Sequence, residues 1–186
     1  MKKAFFLDRD GVINVEIGYL HEAEKTRLLP HVAEALALIH QAGFMVVAVT
    51  NQSGVAKQMY PVDNVYQVHA RIQRDLLAVS ADSTVDAWYF CPHDPEITGE
   101  CSCRKPSAGM LLKAAADFDI DLASSFMIGD RILDLQAGRN ALCRQSCLVA
   151  TGYDAETVAE HSAKALAEGF PVKENLLSAV KYLLEL

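Results

Sequence analysis

Two aspartates two residues apart, Asp8 and Asp10, follow the apolar run Ala4 to Leu7. A carboxylate at the end of a buried strand can attack phosphorus and form an acyl phosphate. A second carboxylate close by can protonate the leaving oxygen and later deprotonate water. Farther along stand Thr50-Asn51-Gln52-Ser53, then Lys105, then Gly129-Asp130 with Asp134 shortly after. Thr50 and Lys105 are suited to hold phosphoryl oxygens, one by hydroxyl and the other by point charge. Acids that converge on one edge repel unless a cation sits among them. Oxygen ligands with room for water suit Mg²⁺. Asp134 reads as a support for Asp130 rather than as a ligand.

A second constellation lies in "CPHDPEITGECSCRKP", residues 91–106. Cys91, His93, Cys101 and Cys103 are four ligands of the types zinc prefers, and four protein ligands leave no open position. A closed site is structural, so the insert reads as a clip that aims Arg104 and Lys105. Cys143 and Cys147 show no metal spacing, and Cys147 reads as a core strand residue.

These residues need elements to place them. "KAFFLD" reads as a short buried strand ending in an acid. "HVAEALALIHQAG" carries Val32, Leu36 and Ile39 on one helical face and stops at Gly43. "FMVVAVT" is a strand buried on both faces. Val65, Val68, Ile72, Leu76 and Val79 mark one stripe of a long helix. "DAWYFC" is a third strand with Trp88 in the core, and Ser107 is placed to cap a helix through Phe118. "SFMIGD", "ILDLQAGRNA", "SCLVA" and "NLLSAVKYLLEL" follow as strand, helix, strand and closing helix. His31, His40 and His69 lie on helical stretches and read as surface residues, while His21 is a candidate border of a ligand site. Alternating strands and helices predict a parallel sheet covered by helices. Ligands of such sheets bind outside the carboxyl ends of the strands, where the acids fall.

The 186 residues are 51% hydrophobic and 22% charged, which fits one domain over 1–186 with its insert at 91–106. The formal net charge is -7 and the pI about 5.3, so no basic surface invites nucleic acid. The run Ala4 to Leu7 is too short for a signal h-region, and no segment approaches the roughly 20 apolar residues of a membrane span. Five cysteines with CxC spacing point to the reducing cytoplasm. The expectation is a cytoplasmic monomer acting on a small molecule.

"FFLDRDGVIN" resembles the DxDG(T/V) signature of the haloacid dehalogenase (HAD) superfamily of phosphatases. "VVAVTNQSG" is similar to its second motif, Lys105 to its third and "MIGDRILD" to its fourth. "CPH…CxCRKP" resembles the branch that holds the heptose bisphosphate and histidinol-phosphate phosphatases, and "GYLHE", "TNQSGVAK" and "CRKPSAGMLL" favour the former. The resemblance spans Ala4 to Gly152. It implies a Rossmann-like α/β domain without a large cap, a Mg²⁺-dependent phosphomonoesterase and a small sugar bisphosphate substrate. By position it makes Asp8 the nucleophile and Asp10 the acid/base, with Thr50 and Lys105 on the phosphoryl group. Asp8, the Asp10 carbonyl and Asp130 fall on the magnesium ligands. Glu16, Ile17, Gly18, Tyr19, Asn51, Gln52, Ser53, Arg104 and Arg131 fall where the family contacts substrate. Arg131 stands where the heptose enzymes often have lysine. A zinc-clipped binding module without turnover has no need of Asp8, Asp10, Asp130 and Lys105 together, so the acid set favours catalysis.

Overall fold

A computed structural model describes residues 1–186. Its strands are β1 (Ala4–Leu7), β2 (Met45–Asn51), β3 (Ala87–Cys91), β4 (Phe126–Gly129), β5 (Gln145–Val149) and β6 (Val172–Lys173). Its helices are α1 (Val32–Gln41), α2 (Val62–Val79), α3 (Pro95–Thr98), α4 (Gly109–Phe118), α5 (Ile132–Asn140), α6 (Ala155–Ala167) and α7 (Leu176–Leu184). The six strands form one sheet in the order β3-β2-β1-β4-β5-β6, and every pairing is parallel.

Parallel strands covered on both faces carry apolar residues at every position. β1 does so, with all four residues of Ala-Phe-Phe-Leu buried. The pleat then divides them. Phe5 and Leu7 join Val46, Ala48, Phe126 and Ile128 against Val32, Leu36 and Ile39 of α1, Val68, Ile72 and Leu76 of α2, and Val180 of α7. Ala4 and Phe6 join Val47, Val49 and Met127 against Met110, Leu111 and Ala114 of α4 and Ala137 of α5. Full burial of one such large side chain contributes about 1.5–3 kcal/mol. α1 closes at Gly43, whose φ of +79° suits a residue without a Cβ.

The strand order places the active edge. β1 connects outward to β2 and β4 outward to β5, so the chain departs in opposite directions from the central β1–β4 pair. That divergence opens a crevice at the carboxyl ends. Leu7 pairs with Ile128, and the Asp8 N–H donates to the Ile128 carbonyl at 3.0 Å. Asp8 and Asp130 are therefore delivered to the same crevice from neighbouring strands.

The Rossmann-like parallel sheet expected from the sequence is present, with five differences. β6, α3 and α6 were not anticipated. Ser107 does not cap α4: the cap is Ala108 with no side-chain bond, and the Ser107 N–H turns back to the Arg104 carbonyl at 2.8 Å. His69 is not a surface residue. It is 5% exposed and stacks on Trp88 with ring centroids 4.3 Å apart. Burial and the charge of Arg9 lower its pKa to about 3, so it is held neutral. No helix is long and apolar enough to cross a membrane.

Candidate active site

Asp8, Lys105, Asp130 and Asp134 are all buried at the carboxyl edge. The Lys105 ammonium lies 2.8 Å from Asp8 Oδ1 and 2.6 Å from Asp134 Oδ1, and it donates to the Val49 carbonyl at 2.7 Å. Burial works against its charge, but the Asp134 and Asp8 carboxylates outweigh burial and hold Lys105 above its ordinary pKa. Asp134 does not serve Asp130 as expected. Its Oδ1 is committed to Lys105 and its Oδ2 accepts the Arg131 N–H at 3.0 Å, which caps α5.

Carboxylate oxygens of Asp8, Asp130 and Asp134 lie within 4.8 Å of one another. Burial raises the Asp8 carboxyl to about 7, against the pull of Lys105. Burial, then the charges of Asp8 and Asp134, raise Asp130 well above the ordinary carboxylate range. Both Asp130 carboxylate oxygens are buried without a hydrogen-bond partner. When all three are ionised, three carboxylates against one ammonium leave two negative charges uncompensated, the charge that one divalent cation carries. The Asp10 backbone carbonyl accepts no backbone hydrogen bond and is free to join such a cation. The donor set is all oxygen, as Mg²⁺ requires.

Glycine keeps that space open. A Cβ at Gly11 or Gly152 would collide with the Asp130 carboxylate, and Gly11 has a φ of +80°. A left-handed non-glycine residue costs roughly 1–2 kcal/mol before any collision is counted. Gly11→Ala is therefore expected to lose at least that much stability. It should also weaken Mg²⁺ binding by displacing Asp130, an effect that titration calorimetry would read. Undiminished Mg²⁺ affinity would show that Asp130 does not need this cradle.

Asp10 accepts from both sides. Arg9 reaches both carboxylate oxygens at 2.8 and 3.0 Å, Asn14 Nδ2 donates at 2.8 Å and Gln52 Nε2 at 2.9 Å. Gln52 also donates to Thr50 Oγ1 at 3.0 Å and accepts from the Tyr60 hydroxyl at 3.1 Å. Asn51 brackets the Lys105 peptide, taking its N–H at 3.1 Å and donating to its carbonyl at 3.2 Å. The TNQS turn after β2 thus ties the carboxylates of β1 to the lysine of the insert.

Asp8, Asp10, Thr50, Asn51, Gln52, Lys105 and Asp134 line a cavity of about 410 Å³, with Asp130 buried outside that lining, and the volume is within the range of small-ligand sites. Glu16, Gly18, Tyr19, Ser53, Arg104 and Arg131 share its wall. Ile17 does not. It is 51% exposed and lies outside the lining, so its expected substrate contact has no support in the geometry. Five lining residues lie outside the sequence reading: Lys57, Tyr60, Asp94, Leu133 and Tyr153. Lys57 donates to the Tyr19 hydroxyl at 2.8 Å and lies 3.4 Å from Asp94, joining three loops. Its place in "TNQSGVAK" was the available signal. His21 is outside the lining but stacks on Tyr60 at 4.9 Å.

The insert folds back on itself for local reasons. Asp94 caps α3 by accepting the Glu96 N–H at 3.0 Å, and Gly99, with φ +75°, ends it. The reversal brings Cys101 Sγ to 3.5 Å and Cys103 Sγ to 3.0 Å from Cys91 Sγ. His93 Nδ1 lies 3.3 Å from Cys103 Sγ and 3.6 Å from Cys91 Sγ. A tetrahedral zinc with bonds of about 2.3 Å to sulfur sets edges of roughly 3.8 Å. The four atoms need to spread only slightly to take that ion. Arg104, next in the chain, donates to the His93 carbonyl at 3.0 Å, so the cluster is one residue from the cavity.

Comparison with known proteins fits this geometry. An HAD-hydrolase-like family model matches residues 102–178. The D-glycero-D-manno-heptose-1,7-bisphosphate 7-phosphatase of Thermosynechococcus vestitus is 41% identical over 190 residues, spanning 98% of this chain and 95% of its own. The D-glycero-beta-D-manno-heptose-1,7-bisphosphate 7-phosphatase of Escherichia coli K12 is 38% identical, covering 86% of this chain and 85% of its own. Among solved structures, the D,D-heptose 1,7-bisphosphate phosphatase of B. bronchiseptica, complexed with magnesium and phosphate, superposes with a TM-score of 0.86. It is 35% identical over 98% of both chains.

Proposed function

The chain belongs to the family of HAD phosphatases that holds the D-glycero-D-manno-heptose-1,7-bisphosphate 7-phosphatases, and from that premise we propose that it removes the C7 phosphate of heptose 1,7-bisphosphate to leave heptose 1-phosphate. One observation carries the reading: Asp8 lies in the wall of a cavity that Arg104 and Arg131 also line. Asp8 can attack one phosphate while the two guanidiniums receive the other, since a guanidinium fork matches phosphate oxygens.

In this reading an Asp8 oxygen bonds to phosphorus and the bond from phosphorus to the C7 oxygen breaks. The leaving oxygen takes a proton from Asp10. Asp10 then takes a proton from the water that cleaves the aspartyl phosphate, and both carboxylates return to their starting state. Thr50 presents its hydroxyl to the phosphoryl oxygens. Lys105 starts with its three donors committed to Val49, Asp8 and Asp134, and its charge offsets that of the transferred group. Asp8, Asp130 and the Asp10 carbonyl would hold Mg²⁺, which would supply charge neutralisation at the phosphoryl group when bound. Specificity constants for both heptose bisphosphate anomers and for histidinol phosphate test the substrate. The reading requires a heptose bisphosphate to win, and a win for histidinol phosphate would replace it.

Cys91, His93, Cys101 and Cys103 are proposed to hold one structural zinc, with thiols kept reduced in the cytoplasm. With zinc bound, these four residues would fix the loop that carries Arg104 and Lys105 and would leave Asp8 and Asp130 untouched. Zinc-depleted enzyme at saturating Mg²⁺ is expected to lose kcat/KM steeply on the bisphosphate, since a ~1 Å misplacement can cost ~10²-fold. It should lose less on a small monoester, which has no second phosphate to orient. Equal loss on both would assign the zinc to the stability of the whole domain.

A further inference from the structure

Resting on the reading of Asp10 as the proton carrier, we infer that Arg9 is a positioning residue for Asp10. Arg9 is the largest fully buried side chain in the protein, with 0% exposure. Its Nε donates to Asp10 Oδ1 at 3.2 Å. Its Nη2 donates to Oδ1 at 3.0 Å and Oδ2 at 2.8 Å, with a longer contact of 3.5 Å to the Leu20 carbonyl. The Arg9 carbonyl accepts the N–H groups of Ile13 and Asn14 at 2.8 and 3.1 Å. That turn places Asn14 to donate to Asp10 as well. Backbone and side chain of one residue thus define where the Asp10 carboxylate lies.

Stability alone does not account for this residue. Taking a guanidinium out of water is expensive, and a buried ion pair is often no better than apolar side chains of equal volume. Arg9 Nη1 is moreover buried without any partner, an added cost. A methionine or leucine would fill the space beneath the loop more cheaply. What only the guanidinium supplies is a planar fork that fixes the carboxylate plane. The carboxylate torsion of an aspartate is otherwise broad. Asp10 must meet the leaving oxygen first and the attacking water later, and a carboxylate that wanders by ~1 Å can cost ~10²-fold.

The test uses leaving-group dependence, which a merely structural role would not change. An alkyl phosphate such as the bisphosphate needs a proton on its leaving oxygen, whereas p-nitrophenyl phosphate does not. Values of kcat/KM, which report formation of the aspartyl phosphate, are measured on both esters for wild type, Asp10→Asn, Arg9→Met and Arg9→Lys. Asp10→Asn should lose far more on the alkyl ester than on the aryl ester. Arg9→Met should repeat that bias, with about 10²-fold lost on the alkyl ester and unchanged Mg²⁺ affinity by calorimetry. Arg9→Lys keeps the charge without the fork and should fall between wild type and Arg9→Met. If Arg9→Met does not fold, Arg9→Lys carries the test alone. Equal losses on the two esters, or Arg9→Lys indistinguishable from wild type, would overturn the positioning role. An Asp10→Asn variant without bias would sink the acid/base reading itself and Arg9 with it.

Discussion

Asp8→Asn is expected to abolish turnover and leave the fold at least as stable as the native one. An amide keeps the shape of the carboxylate but is a poor nucleophile and a weak metal ligand. Removing a nucleophile typically costs 10³-fold or more, on the order of the losses seen for catalytic serines. The fold should not suffer, because the Asp8 charge is unwelcome where it sits. Burial raises its carboxyl to about 7, and the charges of Asp134 and Asp10 add to that rise. Lys105 keeps the Asp134 carboxylate at 2.6 Å and the Val49 carbonyl at 2.7 Å. Steady-state kinetics with a thermal melt on the same sample check both halves. A variant that kept more than about a tenth of wild-type kcat, a barrier change near 1.4 kcal/mol, would exclude the acyl-phosphate route.

Lys105→Met should damage both stability and rate. The ammonium is 2% exposed and is the only cation paired with Asp8 and Asp134. Removing one partner from a buried pair leaves uncompensated charge and costs about 3–5 kcal/mol. Methionine matches the lysine stem in length, so little of that loss comes from packing. Turnover should fall as well, because the negative charge of the transferred group loses its nearest fixed cation. Urea unfolding with and without Mg²⁺ gives the first quantity and kcat the second. A stability loss below about 1 kcal/mol would mean that Asp8 and Asp134 do not depend on Lys105 for charge balance.

The contrast between these two variants reflects what was readable in the chain. Five strands were legible because each is a short apolar run, and those of β1 and β4 end at once in an acid. β6 was not, because Val172–Lys173 is two half-buried residues after a proline with no run to detect. α6 buries only Ala165, so its apolar stripe is too faint to see. His69 stands four residues after Val65 and three before Ile72, on the buried stripe of α2, so its position outweighs its polarity.

The sequence singles out Asp8, Asp10, Thr50, Lys105 and Asp130 because each falls at or just after a strand end or in the one cysteine-rich insert. The structure places Asp8, Asp10, Thr50 and Lys105 in one cavity wall and Asp130 beside Asp8, outside that lining. What it could not indicate were contacts made across distant loops. Lys57 joins Tyr19 and Asp94, and Tyr153 lies under the Arg131 guanidinium at 4.9 Å. The commitment of Asp134 to Lys105 belongs to the same class. Such pairings depend on the order β2-β1-β4, which no local pattern encodes. Arg9 was hidden for a different reason. An arginine between two aspartates reads as surface charge, and only its complete burial shows otherwise.

The central claim is that the phosphate on C7 leaves and the anomeric phosphate stays. Phosphorus NMR of D-glycero-D-manno-heptose 1,7-bisphosphate during turnover with saturating Mg²⁺ tests it directly, because the two phosphates give separate signals. The account predicts that the C7 signal decays into inorganic phosphate while the anomeric signal persists, and that neither changes with Asp8→Asn. Decay of the anomeric signal, or persistence of both with the native protein, would contradict it.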